Sequence, residues 1–179
     1  MRFFSMSRMV KKHLVIPNGV KIESLNGYTN VSGKLGNLNI RLAGVSTTVN
    51  SGKLGIQLSE KQDTCMLGTA YVLIKNAIND VQNGYSAKLN MVGVGFKAGV
   101  IGKFLRVYVG LSHDVFFAIP NGVTVNVSNE TEIVINGNSK SVVNQFAMSV
   151  RNIKKPEPYK GKGIFFNNET VVRKEGKKK

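Results

Sequence analysis

Leu67, Tyr71, Ile74, Ile78 and Val81 recur at three- and four-residue spacing, the apolar stripe of one amphipathic helix. The same stripe returns at Val143, Phe146, Val150 and Ile153. Asp63 or Thr64 can cap the first helix and Gly84 can end it, while Ser139 or Ser141 can cap the second and Pro156 stops it. Ahead of the first helix the period shortens to two. Val20–Ser24, Tyr28–Ser32 and Leu38–Leu42 read as strands, punctuated by Gly27 and Ser32-Gly33. Ahead of the second, Thr124–Val127 and Glu132–Ile135 alternate and run into Asn136-Gly137, a dipeptide that reads as a hairpin turn. Between the two sets, residues 85–118 read as a β-meander, with Lys88–Val92 before a glycine-rich stretch and Phe104–Val109 after it.

The pentapeptide Ile-Pro-Asn-Gly-Val stands at 16–20 and again at 119–123. Each copy introduces strands and then one helix, so the pattern predicts a tandem duplication. The expected fold is α+β, two duplicated domains over 1–83 and 84–179, each an antiparallel sheet with one helix on its apolar face.

Charge sharpens this picture. Lys and Arg number 25 against 10 Asp and Glu, a net charge of +15, which speaks to polyanionic partners rather than to fold. The excess sits at the ends. Residues 1–22 carry five basic groups and no acid, and residues 151–179 carry ten basic groups and three acids. The 128 residues between hold ten basic and seven acidic groups. An apolar fraction of 42% in 179 residues suffices for a buried core. No apolar run approaches the ~20 residues of a helical membrane span. A single Cys65 provides no disulfide framework and, next to Met66 and Leu67, reads as a buried thiol. Met1 to Leu14 is basic and faintly similar to an organellar targeting segment, though short for one. Asn-x-Ser/Thr sequons at Asn30, Asn126, Asn129 and Asn168 read as chance products of an Asn-rich chain.

Catalytic and cofactor motifs fail on spacing. Gly93-Val94-Gly95-Phe96-Lys97-Ala98-Gly99 is one residue too long for a dinucleotide loop and has strand-like flanks, so bulges or tight turns explain its glycines. Gly161-Lys162-Gly163 lacks the lead and the Ser/Thr of an NTPase phosphate loop. His13 and His113 have no accompanying ligands for zinc. Ser112-His113-Asp114 are consecutive, which points their side chains apart rather than into a triad. The reading is a binding protein, not an enzyme, with no cofactor, metal or small-molecule substrate.

The chemistry instead gathers in Lys154-Lys155-Pro156-Glu157-Pro158-Tyr159-Lys160-Gly161-Lys162-Gly163-Ile164. The prolines stop the second helix, and the glycines allow conformations and close approaches that a side chain forbids. Arg151, Lys154 and Lys155 also suit a helix C-terminus, where each is worth ~0.3–1 kcal/mol against the macrodipole. That role cannot explain Lys160, Lys162, Arg173, Lys174 and Lys177–Lys179, which lie beyond the helix. Tyr159 can stack on a base or pack under the loop. Backbone N–H groups around Gly161 and Gly163 can form an anion nest. The candidate RNA-binding set is Arg151, Lys154, Lys155, Tyr159, Lys160, Gly161, Lys162, Gly163, Arg173 and Lys174.

With these motifs in place, the chain closely resembles the bacterial and organellar large-subunit ribosomal protein six family over nearly its whole length. The resemblance rests on Ile-Pro-Asn-Gly-Val, Leu89–Phe96, Leu111-Ser112-His113, Thr131-Glu132-Ile133, Lys155–Ile164 and Val172-Arg173-Lys174. It implies two homologous α+β domains and a structural role in the large subunit, with rRNA bound mainly by the second domain near the sarcin–ricin loop and translation-factor site. It also implies ribosomal-protein neighbours at the stalk base. The chain departs from the family at Phe165-Phe166, where Arg-Tyr is usual, and at Asp114, where Pro is common. Its Asn-, Ile- and Lys-rich drift favours a mitochondrial ribosome, with the bacterial cytoplasm or another organelle as the alternative.

Overall fold

The computed structural model describes residues 14–25, 27–42, 44–50, 53–58 and 65–176. The basic segment before Leu14, the caps expected at Asp63 or Thr64, and Lys177–Lys179 lie outside the described residues, as does the side chain of Cys65. The chain divides into two compact units, Met1–Gly84 and Tyr85–Lys179.

In the first unit β1 (Leu14–Val15), β2 (Lys21–Leu25), β3 (Tyr28–Gly33), β4 (Gly36–Arg41), β5 (Val45–Asn50) and β6 (Lys53–Leu58) precede α1 (Cys65–Asn83). They form two three-stranded sheets in the orders β2-β3-β4 and β1-β6-β5, with every pairing antiparallel. Val31, paired with Ile22 and Leu38, is fully buried. Its core partners include Leu54, Ile56 and the α1 stripe Leu67, Ile74, Ile78 and Val81, so the 3.6-residue period did locate the core-facing side of the helix. Gly84 ends α1 at φ +71°, its N–H donating to the Asp80 carbonyl at 2.9 Å, a left-handed cap that glycine adopts at no steric cost. The β5–β6 hairpin had no counterpart in the sequence pattern. Its strands satisfy one another, Val45 opposite Leu58 through Asn50 opposite Lys53.

In the second unit β7 (Tyr85–Val92), β8 (Lys97–Ile101), β9 (Phe104–Tyr108), β10 (Val115–Ala118), β11 (Val123–Ser128) and β12 (Glu132–Gly137) precede α2 (Lys140–Ile153), which is followed by β13 (Gly163–Phe166). The architecture is the expected α+β arrangement with one helix per unit, but each unit holds two sheets where one was expected. Nor do residues 85–118 form one meander. β7 lies inside a four-stranded sheet ordered β11-β12-β7-β13, and β8 to β10 form a separate three-stranded sheet. The reason is burial. Ala87, Leu89 and Met91 alternate onto the face covered by Val143, Phe146, Ala147 and Val150 of α2, and sequence neighbours cannot offer them that partner.

A second correction concerns Asn136-Gly137. Both residues lie in β12, and Gly137 pairs with Val123 and Tyr85. The hairpin turns earlier, at Asn129 and Glu130, with φ of 54° and 56°, the paired positive values that match the twist of two strands. Glu130 tolerates this conformation while its carbonyl accepts the Ala98 N–H at 2.8 Å. Ser139 takes the N-cap position of α2 with extended backbone, but its hydroxyl makes no capping bond.

The two copies of the pentapeptide build the same turn. Val20 N–H donates to Pro17 O at 3.3 Å and Val123 N–H to Pro120 O at 3.2 Å. Gly19 and Gly122 take the left-handed position, at φ +93° and +80°. Each turn delivers a buried valine at the entry to an antiparallel hairpin.

Gly137 is required by packing. A Cβ there would lie 2.7 Å from Val143 Cγ2 and 3.0 Å from the Gly122 carbonyl oxygen. Gly137→Ala is therefore expected to destabilise the fold by about 1–3 kcal/mol through overpacking, read as a lower midpoint in urea unfolding. An unchanged midpoint would show that α2 does not press on this strand end.

Candidate nucleic-acid interface

The basic loop is not an open tether. Three backbone bonds set its shape: Ile164 N–H to Lys154 O at 2.8 Å, Glu157 N–H to Lys162 O at 2.8 Å, and Gly161 N–H to Glu157 O at 3.0 Å. The loop then enters β13, which pairs antiparallel with β7, Gly163 opposite Val92 and Ile164 opposite Met91. Ile164 is fully buried in the core of the unit, so the loop leaves α2 and ends in the sheet beneath that helix. Sequence periodicity misses β13, because Gly-Ile-Phe-Phe is too short to show alternation.

Both glycines serve close packing. At Gly163, with φ +149°, a Cβ would lie 2.6 Å from Pro156 Cα and 2.8 Å from the Lys155 carbonyl oxygen. At Gly161, with φ +70°, it would meet the Arg173 guanidinium at 3.2 to 3.4 Å. The anion nest expected around them is corrected at Gly161, whose N–H is committed to Glu157.

The chain returns after β13. Asn167 N–H donates to Lys88 O at 3.0 Å, and Lys174 N–H reaches back to Pro158 O at 2.8 Å. This last bond joins Arg173 and Lys174 to a loop that precedes them by a dozen residues. Lys154, Lys155, Lys160, Lys162, Arg173 and Lys174 are all exposed, and none forms an ion pair among the described residues. Tyr159 is 56% exposed rather than packed beneath the loop. Phe166 packs against the core, and Phe165, where the family usually has Arg, is half-buried.

Arg151 separates from the rest. Its Nε donates to Glu169 Oε2 at 2.9 Å and its Nη2 to Glu169 Oε1, a forked pair with both side chains less than a third exposed. Glu169 Oε2 also accepts the Phe166 N–H at 3.3 Å. The bond from Arg151 holds the Glu169 carboxyl below the usual carboxylate range, and the same bond raises the Arg151 guanidinium. Arg151 thus ties the returning segment to the end of α2. The sequence signal for this was one of three acids among ten basic groups in residues 151–179, which has no single obvious partner. In the Ser112-His113-Asp114 triplet, Ser112 Oγ lies 3.4 Å from His113 Nδ1, so these two side chains meet rather than point apart as expected. Asp114 Oδ2 accepts from Arg106 Nε at 2.7 Å instead of orienting His113.

Comparison with known proteins bears on the whole chain. The model of the family described as Ribosomal protein L6 matches residues 92–166. The large ribosomal subunit protein uL6 of Neisseria meningitidis serogroup C is 40% identical over 177 residues, 97% of this chain and 100% of that protein. Those of Zymomonas mobilis, at 40%, and Pseudomonas syringae, at 37%, align over the same shares. These relatives are bacterial and lend no support to a mitochondrial setting.

The Arg151–Glu169 tether makes a pH prediction. Because the folded Glu169 carboxyl sits below its unfolded value of about 4.3, its contribution is fully present above that value and is lost as pH falls through the folded one. Glu169→Gln is expected to cost about 1–3 kcal/mol at pH 7 and to converge with the parent in acid. Urea midpoints between pH 2 and 7 check this; parallel curves would remove Glu169 as the source.

Proposed function

This chain belongs to the ribosomal protein L6 family, and we propose that it is a structural constituent of the large ribosomal subunit whose second unit binds rRNA through the Lys154–Lys162 loop and the returning Arg173-Lys174. One observation carries this reading: six exposed cations from two chain segments are gathered by backbone hydrogen bonds onto one anchored loop. A flexible cationic tail loses conformational entropy on binding a polyanion. A loop already closed by Ile164 and Gly161 bonds loses less, which favours recognition of a fixed phosphate arrangement.

The contacts are with phosphates and 2′-hydroxyls, so recognition follows RNA shape more than base sequence. The exposure of Tyr159 supports a stacking role on an unpaired base. The family resemblance supports a position near the sarcin–ricin loop and the translation-factor site, with neighbouring ribosomal proteins at the stalk base. The bacterial relatives favour a ribosome of bacterial type in the bacterial cytoplasm. The role is architectural, with the fold as scaffold and the loop as contact.

Replacing Lys154, Lys155, Lys160 and Lys162 by Gln is expected to weaken binding to large-subunit rRNA. It should also flatten the log–log salt dependence by roughly 0.7–0.9 for each phosphate that is no longer neutralised. Filter binding across a salt series checks this, and an unchanged slope would take the loop off the RNA backbone. Retention on large subunits through a high-salt wash separates this function from that of a free RNA chaperone.

A further inference from the structure

The outward face of the β8–β9–β10 sheet is unlike the rest of this basic chain. Ala98, Leu105 and Val107 point into the core, and the alternate positions point outward. There Ile101 is 53% exposed, Phe104 50%, Tyr108 41% and Phe116 55%. Register places them together. Phe104 lies between Ile101 and Ala118 on its two neighbours, and Arg106 lies between Gly99 and Phe116. A groove of about 470 Å³ runs over this face, lined by Ile101, Tyr108, Lys97, Arg106, Asp114 and Glu130. Gly99 in its lining has open space where a side chain would stand. Scattered exposed apolar residues need no explanation, but a contiguous set on one face marks an interaction site.

Charge decides what kind of partner fits. Both cations of the face are answered by acids, Arg106 by Asp114 at 2.7 Å and Lys97 by Glu130 at 3.3 Å, so the groove is formally neutral. A stacking platform for single-stranded RNA sets its rings among cations that follow the phosphates. Here a phosphate would meet Asp114 and Glu130 beside the rings. We propose that this face binds an uncharged, apolar polypeptide segment of a neighbouring protein, seated in the groove over Gly99, Ile101 and Tyr108 and extending onto the exposed rings of Phe104 and Phe116 beside it.

The inference rests on the ribosomal reading above, because the neighbour is sought within the large subunit. The test places p-benzoyl-L-phenylalanine at position 116, and separately at 104, in protein assembled into high-salt-washed large subunits, which are then irradiated. The expected product is a crosslink from both positions to one apolar, uncharged segment of a second protein, identified by mass spectrometry. Gly99→Leu, whose Cβ would meet no atom of this chain within 4 Å and whose side chain projects into the groove, should reduce the yield at least several-fold while the variant still assembles. Crosslinks to rRNA or to a charged segment, no crosslink at all, or a yield indifferent to Gly99→Leu would overturn the proposal. Parent protein that fails to co-sediment with large subunits would overturn the proposed function instead.

Discussion

The pairing of β13 with β7 is the constraint from which the functional geometry follows. Four residues, Gly163 to Phe166, add to the edge of a sheet, and Ile164 is buried with Leu89, Met91 and Val150. That short strand fixes the far end of the basic loop at a place set by the core. The near end is fixed by α2, and the Ile164-to-Lys154 hydrogen bond closes the two together. Remove β13 and the lysines would hang from the end of a helix with no defined spacing. With it, their positions inherit the rigidity of a packed interior.

Acids are scarce in this chain, and the structure uses them selectively. Glu169 neutralises Arg151 and pins the returning segment. Asp114 and Glu130 neutralise Arg106 and Lys97 on a sheet face. Among the described residues, the cations of the loop form no ion pair. The second unit therefore presents two different surfaces, one strongly positive and one neutral and aromatic, with its basic excess concentrated in residues 151–179. Partner choice on this scale is set by where the few negative charges fall.

The repeated pentapeptide shows how local chemistry survives a change of context. In both copies a proline carbonyl and a left-handed glycine make one turn and deliver one buried valine. The helices that follow also bury the same kind of stripe. The units diverge at the C-terminal side of the helix. α1 stops at a glycine cap, whereas α2 runs into prolines and a loop that folds back as β13.

The sequence by itself determined the α+β class, both helices, the pentapeptide repeat and the location of the basic loop. Each of these depends on neighbours within a few residues: apolar spacing, a proline lacking an N–H, a glycine free to take positive φ. Tertiary structure decided the rest. β7 pairs with β12 and β13 rather than with β8, the Asn136-Gly137 dipeptide serves close packing instead of a turn, and Gly161 gives its N–H to Glu157 instead of an anion. Arg151, grouped by sequence with the RNA-facing cations, turns to Glu169. These outcomes depend on which distant segment fills a space or satisfies a donor. Hydrogen bonds and close packing are settled between segments tens of residues apart, and local pattern carries no record of which segment that is.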